Sequence, residues 1–416
     1  MIPTQSLTVT AAFFQPLQGL ADASPHARPC PEFSDEACLH LGVQRVLEMS
    51  ESGRGFLQEH GLRFAHTPGL GAYFAALHSP RRGQVLRDVS LAVLAAAEAT
   101  LHDRLGDLPE LANYACWAGD GHWHKGAAHD PRHAGAKMAV GHFYSLNLRT
   151  HTLRHLAAGE GLHEHDMSVL KRIKPKGLRL GAPKGRRVLM VYDKAGIDFA
   201  FWKRCRQECA VYFLSRVKEN MVFDWIESVP WNQADARNNG VTEDRRVTTR
   251  EGHLLRIVHY TDPATGQQFE FLTNEMDLPP GVIVELYRRR WEAEKVFDEI
   301  KNKLHEKKAW ATSLAAKEAQ AQLITITHNL LLRYEQMLAT QHGVTNQAED
   351  HRRTRRSEAA AEKCAAAGQP LSALVLGARQ ATQRSVKFVR WLRQSLRDHA
   401  AEALAVLRLK ALYATL

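Results

Sequence analysis

The stretch RRVLMVYDKAGIDFAFWKRCRQECAVYFLSRVKEN, residues 186–220, does most to limit what this chain can become. Four apolar residues, Val188 to Val191, then Tyr192, Asp193 and Gly196, read as a buried strand ending in a turn. IDFAFWKRCRQEC has helical spacing, and AVYFLSRVKEN reads as a second strand. Strand, helix and strand in succession point to the α/β class.

The flanking sequence divides by pattern. Residues 1–110 show apolar residues at three- and four-residue spacing, as in FSDEACLHLGVQRVLEMS, and are expected to be helical. HFYSLNLRTHTL is expected to form one strand or a hairpin, and EHDMSVLKRIK a short helix. Turn signals recur through residues 218–280 (VPWN, RNNG, DPATG, LPPG), which predicts a β-rich unit. PPGVIVELYRRRWEAEKVFDEIKNKL opens after two prolines and reads as one helix, followed by a second, SLAAKEAQAQLITITHNLLLRYEQMLA. The polar stretch GVTNQAEDHRRTRRSEAAAEKCAAAGQP, with Arg352, Arg353, Arg355 and Arg356, reads as a mobile connection before an amphipathic C-terminal helix.

No apolar run is long enough for a membrane span, and the N-terminus lacks the pattern of a signal peptide. Cys30, Cys38, Cys116, Cys205, Cys209 and Cys364 include one close pair with no second pair to complete a zinc site. They are expected to be reduced thiols of a cytoplasmic protein. The net charge is +10, and the segment from Lys301 to Leu416 carries an excess equal to all of it. Such an excess suits a polyanion, nucleic acid first among them, or simply a solvated helical surface.

The helix after the two prolines raises a chemical question. At about 100° per residue, Tyr287, Arg290, Glu294 and Lys301 share a stripe about 60° wide, beside an apolar stripe of Leu286, Ala293, Val296, Phe297, Ile300 and Leu304. Glu294 could pair with Arg290 one turn earlier, or it could be an oxygen ligand for a divalent cation whose cationic neighbours hold DNA phosphates. The second reading needs carboxylates at strand ends upstream. Asp193 ends the buried strand. Asp120, in CWAGDGHW, is flanked by glycines that permit close approach. Asp130 is the fallback for Asp120. Asp198 is the rival of Asp193 but is expected to cap the following helix.

With this ordered Asp, Asp, Glu set, the chain resembles the DDE transposases of bacterial insertion sequences. More narrowly it resembles the branch with a Y-x2-R-x3-E-x6-K signature, matched here by Tyr287, Arg290, Glu294 and Lys301. The resemblance spans about residues 110–335. It implies an α/β fold: a ribonuclease-H-like, mixed-sheet catalytic core over 111–335, with the β-rich insertion at 218–280. A helical DNA-binding region over 1–110 and a basic helical region over 336–416 flank it. It also implies two Mg²⁺ ions, with Mn²⁺ as substitute, on Asp120, Asp193 and Glu294. Tyr287, Arg290 and Lys301 would position the DNA backbone, with Lys303, Arg216 and Lys218 as further contacts and Trp231 as a base-stacking candidate. The implied partners are double-stranded DNA, as terminal inverted repeats and target, and a second copy of the chain on that DNA. One departure concerns LANYACWAGD, a poor strand interrupted by Asn113 and Gly119. Two other readings compete: a DNA-binding protein without catalysis, and a zinc hydrolase built on His122, His124, His129 and His133.

Overall fold

The computed structural model describes residues 7–48, 52–64, 66–130, 132–133, 136–137, 139–159, 164–263, 265–302, 304, 308–345, 347–368 and 386–407. Its centre is a nine-stranded sheet, ordered β5-β4-β1-β6-β7-β11-β10-β9-β8. The strands are β1 (Tyr114–Lys125), β4 (Ala139–Asn147), β5 (Leu153–Ala158), β6 (Arg187–Val191), β7 (Val211–Arg216), β8 (Asp224–Ser228), β9 (Val241–Thr248), β10 (Leu254–Thr261) and β11 (Gln268–Thr273); the short pair β2 (Arg132–His133) and β3 (Ala136–Lys137) stands apart. β1, β4 and β5 form an antiparallel meander, while β6 and β7 run parallel to β1. In order of appearance the five core strands therefore sit 3-2-1-4-5, the ribonuclease-H-like arrangement.

The insertion continues this sheet. β11 pairs antiparallel with β7, with Leu272 opposite Ser215, and β10, β9 and β8 follow outward. Arg256 on β10 and Asp244 on β9, both almost fully buried, form a two-pronged pair at 2.6 and 2.8 Å that anchors it.

Helices cover both faces. The first half supplies α1 (Leu7–Phe14), α2 (Asp35–Leu47), α3 (Gly53–Gly61), α4 (Leu70–Leu77), α5 (Pro80–Glu98), α6 (Asp166–Arg179) and α7 (Phe199–Cys209). The second supplies α8 (Pro280–Arg289), α9 (Trp291–Asn302), α10 (Leu314–His342), α11 (Gln347–Ala366), α12 (Val386–Asp398) and α13 (Ala400–Val406). One face carries Cys116, Ala118, Leu189 and Val191, in a single core with residues of α1–α5, α8, α9 and α10. The other carries Trp117, Val188, Met190 and Phe213 and packs on Phe201, Trp202 and Cys205 of α7. The alternation follows from the pleat. α10 also blunts the open edge of β5, since Asn329 accepts from the Leu153 N–H at 2.8 Å and donates to its C=O at 2.9 Å.

Several segments differ from their sequence patterns. The stretch that read as a poor strand is the twelve-residue β1. Gly119 is required there because the Tyr192 ring lies where its Cβ would be, so the glycine serves packing and does not break the strand. HFYSLNLRTHTL is a hairpin, β4 to β5. The long helix after the prolines divides at Arg290, where the bonds from Arg290 N to Tyr287 O and from Ala293 N to Arg290 O span three residues. The polar connection holds α11. Its Ala-, Glu- and Arg-rich sequence favours helix although it buries little beyond Ala360 and Cys364. All six cysteines are free thiols. No helix among the described residues is long and apolar enough to cross a membrane.

Because the Tyr192 ring occupies the space over Gly119, Gly119→Ala should overpack the centre of the sheet. The expected loss is about 1–3 kcal/mol, read as a lower urea midpoint; an unchanged midpoint would show that the ring moves aside freely.

Candidate active site

The ladder between β1 and β6 sets the position of two carboxylates. Ala118 pairs with Val191 in parallel register, and Asp120 and Asp193 each lie two residues further on. A strand period of two gives both the face of Ala118 and Val191, the face on which α9 packs. β1 runs on through Asp120, which sits opposite Tyr144 of β4. β6 ends before Asp193, whose Oδ1 accepts from the Ala195 N–H at 2.8 Å and whose C=O accepts from the Ser215 hydroxyl at 2.8 Å.

The third carboxylate arrives on α9. Arg290 joins the groups: it donates from Nη2 to Glu294 Oε1 at 2.8 Å and from Nη1 to Asp120 Oδ2 at 3.3 Å. The guanidinium is buried, its Nε has no partner, and its carbon lies 5.9 Å from the Tyr287 ring centre. Burial works against its charge, but Glu294, Tyr287 and Asp120 together raise its pKa above the ordinary value. Burial also raises the Tyr287 phenol; Arg290 and Arg216 oppose this and Asp193 adds to it. Tyr287 thus feels both ends of the site. Both sequence readings of Glu294 remain compatible: it is paired with Arg290, and it stands beside Asp120.

α9 is pinned by a pair that sequence reading missed. Glu292 accepts from the His151 ring, in the β4–β5 turn where His151 has φ 62°. Burial alone would raise the Glu292 carboxyl; His151, then Arg289 and Arg104, instead pull it down to about 2. The only sequence signal was an acidic residue at the start of a helix, which is too common to single out.

The other candidates are dispersed. Lys301 is exposed, about two turns beyond Glu294. Lys303 lies outside the described residues. Arg216 and Lys218, with Lys194, His259, Tyr260 and Phe269, line a groove of about 510 Å³ between the end of β7 and the insertion. Trp231 is half-buried in the loop between β8 and β9 and does not line that groove. Trp291 is 57% exposed, with the Arg290 guanidinium 5.5 Å from its ring centre. Asp130 caps its own loop through the Ala127 N–H and pairs with Lys317 at 3.4 Å. Asp198 caps α7 and pairs with Lys171 at 2.6 Å.

His122 and His124 are buried. The His124 ring stacks on His142 at 5.0 Å, and His142 Nδ1 lies 3.3 Å from His155 Nε2. His129 is exposed, and the side chain of His133 lies outside the described residues. Among the described residues no three carboxylates, imidazoles or thiolates are close enough to enclose one ion. For the acidic set the reason is visible, since a guanidinium stands between two of its members.

Residues 124–330 match the family model described as the transposase DDE domain. Over those residues the chain belongs to that family. Asp193, Tyr287, Arg290, Glu294 and Lys301 lie inside the DDE domain so matched, and Asp120 lies four residues before its start. No curated protein matches the chain. Among solved structures it is similar to a piggyBac transposase in a cryo-EM synaptic complex with hairpin DNA. The identity is 10%, over 98% of this chain and 81% of that one, with a TM-score of 0.35, too low to weigh in the assignment.

Glu292 has a folded pKa below its unfolded one, so the stability it contributes is present above about pH 4.5 and is lost as pH falls toward about 2. Glu292→Gln should flatten the fall of stability across that window, measured by urea unfolding at stepped pH; a slope equal to wild type would place the acid sensitivity elsewhere. Glu294→Gln removes a partly exposed pair, so its cost should stay near ~0.5 kcal/mol, with an almost unchanged melting curve.

Proposed function

We propose that this transposase cleaves DNA at transposon ends and transfers the freed strand, in a metal-dependent reaction centred on Asp120, Asp193 and Glu294. The observation that carries the proposal is that Asp120 and Asp193 each lie two residues beyond the paired Ala118 and Val191 of adjacent parallel strands, with Glu294 tied to Asp120 through one guanidinium. The Y-x2-R-x3-E-x6-K residues support a reading of the chain as a member of the matching bacterial insertion-sequence branch, a cytoplasmic enzyme acting on nucleoid DNA.

The donor set fits a hard divalent cation such as Mg²⁺ or Mn²⁺: it is all carboxylate oxygen, and it already holds a cationic group between two of its members. A pair of such ions would activate the attacking water or 3′-hydroxyl and stabilise the leaving oxygen at phosphorus. The chain's own groups do the rest. Arg290 neutralises Asp120 and Glu294 before substrate arrives, and turning its unpartnered Nε and its two Nη groups toward a DNA phosphate would release both carboxylates. Tyr287 fixes the guanidinium from one side. Lys301 meets the backbone further along α9, while Arg216, Lys218 and Lys194 line a groove suited to a second stretch of backbone; Lys303, outside the described residues, is kept as a further backbone contact. We assign Trp231 and Trp291 as the aromatic contacts for unpaired bases, residues 1–110 to end recognition, and residues 336–416 to general DNA affinity. Synapsis of two ends calls for a dimer on DNA.

Glu294→Gln should reduce end cleavage at least about 100-fold while duplex binding stays within about twofold, since it removes a ligand charge and leaves the surface intact. Cleavage should need Mg²⁺ or Mn²⁺ and stop with EDTA. Cleavage supported by Zn²⁺ alone, or a Glu294→Gln variant that nicks at a substantial fraction of the wild-type rate, would overturn the assignment. Lys301→Ala should shallow the log–log salt dependence of binding by about one unit and slow single-turnover cleavage at saturating protein. Arg352→Ala should weaken binding without slowing cleavage of bound DNA. Equal cleavage defects in the two variants would deny Lys301 a place at the site.

A further inference from the structure

A second cluster of cationic groups lies away from the acidic site, at the edge strand β5. Arg87 on α5, Arg154 on β5 and Arg172 on α6 line one cavity of about 250 Å³. Leu91, Ile173 and Leu180 form an apolar wall of the same cavity.

Arg154 is the unusual member. It is 3% exposed, and no carboxylate among the described residues lies within ion-pair distance. Its Nε donates to the Ser145 hydroxyl and its Nη2 to the Leu178 C=O, both at 3.0 Å, while Nη1 has no partner. The Trp117 ring, 4.4 Å from the guanidinium carbon, supplies only a partial counter-charge. Burial, opposed by weaker attraction from Tyr192 and Glu98, pushes the guanidinium down to about 10. Arg87 reaches Glu318 only at 3.9 Å, and its Nε is buried without a partner. Arg172 binds the Ala158 C=O at 3.0 Å and Glu164 at 2.9 Å. Among the described residues Arg87 has a carboxylate at long range and Arg172 one at hydrogen-bond distance, while Arg154 has none within ion-pair distance. Guanidinium forks match phosphate oxygens in geometry as well as charge.

We propose that this cavity binds a small phosphomonoester of the size of a nucleoside monophosphate, its phosphate among Arg87, Arg154 and Arg172 and its apolar moiety against Leu91, Ile173 and Leu180. The ligand would supply the counter-charge that Arg154 lacks. β5 is two strands removed from β1, so the site is separate from the acidic one.

The test is calorimetric titration of the full chain with adenosine 5′-monophosphate. One saturable site is expected, with adenosine failing to bind and inorganic phosphate competing. Arg87→Gln and Arg172→Gln, both at the rim, should each weaken binding at least tenfold; they serve in place of Arg154→Met, which risks misfolding. No saturable binding to wild type, or wild-type affinity in both rim variants, would overturn the proposal. So would displacement of the nucleotide by duplex DNA together with lost DNA affinity in Arg87→Gln, because the cavity would then be a backbone contact. The readout is independent of cleavage, so its failure and a failure of the transposase chemistry can be told apart.

Discussion

The structure depends on the parallel pairing of β1 with β6. β1 is the inner strand of the antiparallel meander, and β6 carries the ladder on to β7 and from there to the insertion. A slip of one residue in that pairing would turn every β6 side chain to the opposite face. The cores resist such a slip from both sides, because Leu189 and Val191 are buried against α8 to α10 while Val188 and Met190 are buried against α7. The register that packs both cores also sets Asp120 and Asp193 at the same offset, two residues beyond the paired Ala118 and Val191. Placement of the two carboxylates is therefore a by-product of hydrophobic packing and needs no polar interaction between them.

Arg290 makes the corresponding decision for the helix. Two acidic groups brought together in a partly buried site repel each other unless a cation stands between them. In the folded chain the cation is covalently attached, reached through the tightened turn that separates α8 from α9. The stripe that includes it runs from inside to outside: Tyr287 and Arg290 are buried, Glu294 is partly exposed and Lys301 is exposed. A nucleic acid lying along α9 would thus meet an exposed ammonium before it meets the buried guanidinium.

Much of this was legible in the sequence. The six apolar residues read as one stripe, from Leu286 to Leu304, are all buried, although the helix divides at Arg290 and Leu304 lies past the end of α9. The strand–helix–strand run around Asp193 folds as written, and Asp198 caps α7. What was hidden depended on contacts distant in sequence. Gly119 looked like a strand breaker because nothing local reveals that Tyr192 needs its space. α11 lacked apolar periodicity because it buries almost nothing. The Glu292–His151 pair and the cavity around Arg154 join residues with no pattern between them. The clustering of His122 and His124 with His142 and His155 has the same cause: strand pairing brings together imidazoles that only look like a motif along β1.

The insertion was expected as a unit set between strand and helix, and its attachment has a mechanical meaning. The strands from β8 to β7 are each paired to the next, with register shifts at Trp225/Glu227 and His259/Tyr260 but none where β11 meets β7, and the Arg256–Asp244 pair stiffens the middle. Ser215, opposite Leu272 of the insertion, is the residue whose hydroxyl holds the Asp193 carbonyl. The arm therefore has no hinge at its root. A load applied at its far edge, where Trp225 and Ile226 of β8 are exposed, is transmitted along the sheet to the backbone of the second carboxylate, which makes the insertion a lever geared to the site.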